Sequence, residues 1–185
     1  MFGKKKAKKT LIDQTLFDNI GSYVDESLRP KPVEDKEIKF SRELNDSSIR
    51  YSLRNPEGVY NSLLRIAEMG GREPTFTEEL QYFINLRHYS SVTCYKKAHI
   101  DRKLFSQIMK NREYKPKKAT VIAFIMALEL NMGEANNLLC TAGYALSKTD
   151  KHDLIIRYCI EHKIYDLDDV NEILYHFDQP ILGSK

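Results

Sequence analysis

Arg102, Lys103, Ser106, Gln107 and Lys110 recur at i, i+4 spacing in one short segment, and all five side chains can donate hydrogen bonds. Guanidinium, ammonium, amide and hydroxyl groups grouped this way suit base edges and phosphates. They lie inside a wider cluster. Between Tyr95 and Lys118 there are nine basic residues (Lys96, Lys97, Arg102, Lys103, Lys110, Arg112, Lys115, Lys117, Lys118) and only two acidic ones, Asp101 and Glu113. Five more lysines fall within Met1–Lys9, and from Asp150 onward the sign reverses, with eight acidic residues against four basic. The net charge of +3 conceals this asymmetry. Such segregated positive charge is either a polyanion-binding face or a solvated helix surface.

Other chemistry finds little support. His88, His99, His152, His162 and His176 do not combine with carboxylates or cysteines at metal-ligand spacing. His152-Asp153 and Glu161-His162 read as exposed positions of one helix. Gly70-Gly71 has no Lys-Ser/Thr after it, as a phosphate loop needs, and no serine or cysteine sits in a nucleophile motif. We therefore expect no enzyme activity, no metal and no cofactor. The tyrosines fall at helical spacing, unlike the strand platforms that stack single-stranded nucleic acids.

Hydrophobic residues at 42% and charged ones at 30% describe an ordinary soluble globular chain. The longest apolar run, Val121 to Leu130, is interrupted by Glu129 and is too short for a membrane span. Met1–Lys9 is basic without an apolar region behind it, so no signal peptide is expected. Cys94, Cys140 and Cys159 are dispersed and odd in number and sit in apolar helical patterns, which fits buried thiols in a reducing, cytoplasmic setting.

These residues must be held by helices. Positions 1–9 read as a basic tail and 10–29 as an amphipathic helix, with Thr10 as cap and Ile12, Leu16, Ile20 and Val24 in its stripe. That stripe should bury itself against the rest of the chain or against a second copy. Pro30 and Pro32 open a linker over 30–55, in which 38–40 and 49–53 alternate like short extended pieces, with disorder as the equal alternative. Positions 56–74 hold a short helix closed by Gly70-Gly71. Thr75 and Glu78 form a capping box. It starts a helix carrying Leu80, Phe83, Ile84 and Leu86. Ser91 then caps a short helix over 92–98, and after His99-Ile100, Asp101 caps another over 102–111. Further helices are expected over 117–130, 133–139, from Thr149 or Asp150 to 162, and over 167–177. No repeat of 20 to 50 residues is evident.

Two short helices joined by a tight turn form a helix-turn-helix. Ala98 leaves room for the crossing helix, Ile100 plugs the turn, and Phe105 and Ile108 anchor the second helix. The tract from Cys94 through Asn111 resembles the lambda-repressor-like (Xre) family, and the likeness extends over about 76–139. Tyr114-Lys-Pro116 and 119–130 are similar to that family's proline and following helix. The resemblance implies an all-α bundle over 75–146, with 147–185 as a C-terminal helical extension. It places Arg102, Lys103 and Gln107 on bases in the major groove, and Ser91, Thr93, Ser106, Lys110, Arg112, Lys115 and Lys117 on the DNA backbone. His99 stands where the family has a glycine with positive φ. Tyr95 replaces alanine, Met109 glutamate and Asn111 a closing glycine. Tyr95–Phe105, 153–158 and 173–182 also resemble an uncharacterised C-terminal module of Firmicutes proteins.

The sequence thus predicts a cytoplasmic, sequence-specific regulator that binds double-stranded DNA and avoids membranes, with a homodimer through the N-terminal or C-terminal helices as a possible assembly. The competing expectation is a protein-interaction adaptor or antitoxin-like module on the same bundle. RNA binding by the basic segments ranks third.

Overall fold

The computed structural model describes residues 12–29, 67 and 70–183. These hold eight α-helices and no strand: α1 Gln14–Leu28, α2 Phe76–Leu86, α3 Ser91–Lys97, α4 Arg102–Lys110, α5 Lys118–Ala127, α6 Met132–Thr141, α7 Lys151–Glu161 and α8 Leu167–His176. The expected extended pieces and most of the 56–74 helix lie outside the described residues. Ala67 is helical, and the Gly70 N–H donates to its carbonyl at 3.0 Å. Both Gly70 and Gly71 have positive φ, as a glycine-closed helix end requires.

Local chemistry sets the helix starts. Thr75 and Glu78 cap α2 reciprocally, and Asn131 with Glu134 does the same for α6. Asp101, Asp150 and Asp166 cap α4, α7 and α8. Two N-caps differ from expectation, and the helices expected over 117–130 and 133–139 run Lys118–Ala127 and Met132–Thr141. Asp13, not Thr10, caps α1, with its carboxylate accepting from the Leu16 N–H at 2.9 Å. Ser90, not Ser91, caps α3, because its hydroxyl reaches the Thr93 N–H at 3.0 Å.

The helix ends repeat one device. His88, His99, Glu129, Lys163 and Asp178 take left-handed φ between 49° and 59°. In each case the next residue returns its N–H to a carbonyl five positions back: Tyr89 to Ile84, Ile100 to Tyr95, Leu130 to Ile125, Ile164 to Cys159, Gln179 to Leu174. This is the Schellman closure. Arg87-His88-Tyr89-Ser90, Ala98-His99-Ile100-Asp101 and Leu128-Glu129-Leu130-Asn131 are therefore three copies of one four-residue connection. Each runs helix end, left-handed residue, inward apolar residue, N-cap.

α5 is apolar all round, with every side chain from Val121 to Leu128 buried. A helix without a polar face belongs at the centre of a core. α3, α6 and α8 pack on it, while α2 packs on α4 and α6. α7 packs on α6 and α8. α1 docks on α7 through Ile20 and Val24, both buried. Phe17 stacks on His176 at 3.8 Å between ring centres, and Tyr23 meets Tyr158 edge-on at 5.3 Å. The stripe of the N-terminal helix is thus covered within the chain. The buried side chains, from Ile20 to Leu182, form one continuous cluster that includes the acidic helices α7 and α8.

Candidate nucleic-acid interface

α4 is anchored on one side and bare on the other. Phe105 and Ile108 are buried and Leu104 and Met109 half-buried, while Arg102, Lys103, Gln107 and Lys110 are exposed and Ser106 is half-buried. Asp101 Oδ1 accepts from the Lys103 N–H at 2.7 Å at the start of the helix. At its end, the buried Thr77 hydroxyl donates to the Ile108 and Asn111 carbonyls at 3.0 and 3.2 Å, tying α4 to α2. The Phe105 ring lies 5.6 Å from Tyr95 and 6.1 Å from Phe124. Tyr95 thus fills space between α3 and α4 instead of disrupting them, and Met109 packs against the core. His99 adopts φ 49°, the left-handed conformation expected at its position.

Tertiary contacts sort the basic cluster. Lys97 pairs with Glu129 at 2.8 Å and donates to the Tyr89 hydroxyl at 3.0 Å. Its hydrogen bond holds the Glu129 carboxyl below the ordinary range. Arg112 pairs with Glu78 at 2.8 Å, and Lys118 with Asp153 at 2.6 Å. Lys96, Arg102, Lys103, Lys110, Lys115 and Lys117 are exposed and form no ion pair among the described residues. Of the expected backbone contacts, Lys110, Lys115 and Lys117 therefore stand free. Arg112 is already committed to a carboxylate that also binds Arg72 at 2.8 Å. Ser91 and Thr93 are exposed in the first turn of α3, but the Thr93 hydroxyl is engaged with Ser90 at 2.8 Å.

Lys117 precedes α5 without a side-chain cap, whereas side chains cap the other seven described helices. No side chain caps the first N–H groups of α5, which Lys115 and Lys117 precede in the chain, and such a terminus favours negative charge.

Asp153 departs from expectation. It is 3% exposed, not a surface residue. Its Oδ2 accepts from Lys118 Nζ and from the Ser147 N–H, both at 2.6 Å. Asp150, His152 and Asp153 bring donor atoms within 4.8 Å of one another. The Asp153 N–H, however, is what Asp150 Oδ1 caps, at 3.0 Å. A helix cap and an ion pair account for the group without a cation.

No known family matches this chain, and no curated protein or solved structure is significantly similar to it. No described helix is long and apolar enough to cross a membrane.

Proposed function

We propose that the protein binds double-stranded DNA, with α3 and α4 as a helix-turn-helix of the phage-repressor kind and α4 in the major groove. One observation carries this reading: the exposed face of α4 offers Arg102, Lys103, Gln107 and Lys110 with no carboxylate among them. An α-helix fits the major groove, where arginine and lysine read guanine and glutamine reads adenine. Lys96, Lys115, Lys117 and the uncapped start of α5 would neutralise flanking phosphates. Turn geometry alone does not distinguish α3–α4, since α2–α3 and α5–α6 share it. The charge presented beyond the turn does.

A transcriptional regulator working on paired half-sites is the role this supports. With the α1 stripe covered in cis, a homodimer would use the C-terminal helices, where Tyr175 is 79% exposed. The test is a mobility shift with pooled genomic fragments at about 150 mM salt, a condition at which non-specific binding is weak. A retained sequence subset is expected, and Arg102→Ala or Gln107→Ala should each cost about 1–3 kcal/mol on it. If neither substitution alters binding or footprint, α4 is not the reading element.

One observation favours the adaptor reading. Asp168 Oδ1 stands 3.8 Å from His99 Nδ1, so an acidic helix borders the α3–α4 turn. An adaptor would retain no fragment subset in the same assay.

A further inference from the structure

The C-terminal segment, through Gly183, runs against the turn that presents α4. After α8, the Leu182 N–H donates to Asn171 Oδ1 at 2.7 Å, and Asn171 Nδ2 donates to the Leu182 carbonyl at 3.1 Å. One side-chain amide thus satisfies both polar groups of a single peptide residue, as a neighbouring strand would. It holds Leu182 3% exposed within the core cluster. Gly183 follows with φ +95°, a conformation that strongly favours glycine. A Cβ there would stand 3.1 Å from His99 Cβ, 3.3 Å from the His99 carbonyl oxygen and 3.9 Å from that of Ala98. Asp168, in the first turn of α8, approaches the same histidine from its side chain. Two points of the C-terminal extension therefore converge on His99, the left-handed residue of the α3–α4 turn.

The other copies of the connection are held differently: Glu129 pairs through its side chain with Lys97 at 2.8 Å. No described glycine packs on His88 or Glu129 as Gly183 packs on His99. Phe105, Ile108 and the Thr77 hydroxyl fix the far part of α4, so the conformation of His99 and the seating of Ile100 govern how its first turn is presented. A brace on His99 therefore acts on the start of α4, where Arg102 and Lys103 lie.

We propose that Asn171 and Gly183 are positioning residues for α4: by docking the 179–183 segment on His99, they make presentation of the α4 face depend on the C-terminal extension. The inference rests on the DNA-binding reading for its consequence, but not for its mechanism. A partner that engaged α8 and drew Leu182 out would loosen α4, giving the acidic extension control over the basic face.

The test uses the full chain with Asn171→Ala and Gly183→Val. Gly183 is exposed, so the second variant remains informative if the first does not fold. Hydrogen exchange is followed at Ile100 and Phe105, whose N–H groups close the turn and open α4, and at 121–127 in α5 as the internal reference. We expect exchange at Ile100 and Phe105 to rise about tenfold with the α5 amides unchanged, since local opening is separable from global unfolding. Affinity for the retained duplex should fall by a similar factor. Unchanged exchange at Ile100 and Phe105, or an equal rise throughout α5, overturns the brace. Raised exchange with unaltered affinity overturns its role in presenting α4. Failure of the unmodified protein to bind any duplex overturns the DNA reading alone, because the exchange experiment still decides the brace.

Discussion

Lys118 Nζ lies 2.6 Å from Asp153 Oδ2, and this pair joins the first turn of α5 to the first turn of α7. The carboxylate side is 4% exposed and the ammonium side 32%, so the partners do not respond alike to losing one another. Lys118→Met strands a buried carboxylate with the Ser147 N–H at 2.6 Å and the His152 ring at 3.7 Å but no lysine beside it. We expect a loss of about 2–4 kcal/mol in urea unfolding. Lys118→Met combined with Asp153→Leu should be more stable than Lys118→Met alone, because an apolar pair leaves no buried charge. A double variant weaker than the single one contradicts this account.

Glu78 predicts an acid-sensitive step. The Arg72 guanidinium, followed by the Thr75 N–H and Arg112, holds its carboxyl at about 2 from an ordinary 4.5. A lowered carboxyl contributes stability that is complete above about pH 4.5 and is lost as pH falls through about 2. Both arginines are roughly half exposed, at 44% and 55%, so solvent screening keeps the contribution within about 1 kcal/mol. Denaturant unfolding at pH 7, 4 and 3 should show Glu78→Gln losing less stability on acidification than the parent protein.

On the proposed DNA-binding role, the same carboxylate should separate Arg112 from Lys110. Lys110→Ala should reduce the slope of log affinity against log salt by about 0.9, the value for one phosphate contact. Arg112→Ala should change it less, because Glu78 already neutralises that guanidinium. Equal slopes for the two variants would mean that Arg112 leaves Glu78 on binding.

Non-glycine residues in left-handed turns carry removable strain. An L-residue there costs about 1–2 kcal/mol. The exposed His88, at φ 54°, should therefore give about 0.5–1 kcal/mol of extra stability on His88→Gly, after the entropy cost of glycine. Glu129→Gly should gain less, since it also removes the partner of Lys97. Thermal unfolding of the two variants checks the order.

Thiol reactivity should divide cleanly. Burial pushes the Cys94 and Cys159 thiols up to about 12, while Cys140, contrary to the expectation of three buried thiols, is exposed on the outer side of α6. The thiolate is the reactive form. Iodoacetamide at pH 8 should therefore modify Cys140 alone in the native protein and all three after denaturation, as read by mass spectrometry.

Features that span a few residues were legible in the sequence. The Thr75–Glu78 capping box, the Asp101 cap, the Ala98–Asp101 turn, and the inward Phe105 and Ile108 depend on hydrogen bonds within four positions or on helical period, both written locally. The cap of α3 slipped by one because Ser90 and Ser91 are equally good acceptors, and only the geometry of Thr93 selects between them. The repeated connection is not legible in the sequence because its left-handed residues are two histidines and a glutamate, which carry none of glycine's signal. What the folded chain alone decided involves partners far apart in sequence. It decided which cations stay free once Glu78, Glu129 and Asp153 have taken theirs, and that Asp153 is buried. It placed α1 on α7, and it brought the 179–183 segment to His99. Charge and periodicity mark which residues can face solvent or core, but pairing across distant helices follows from packing.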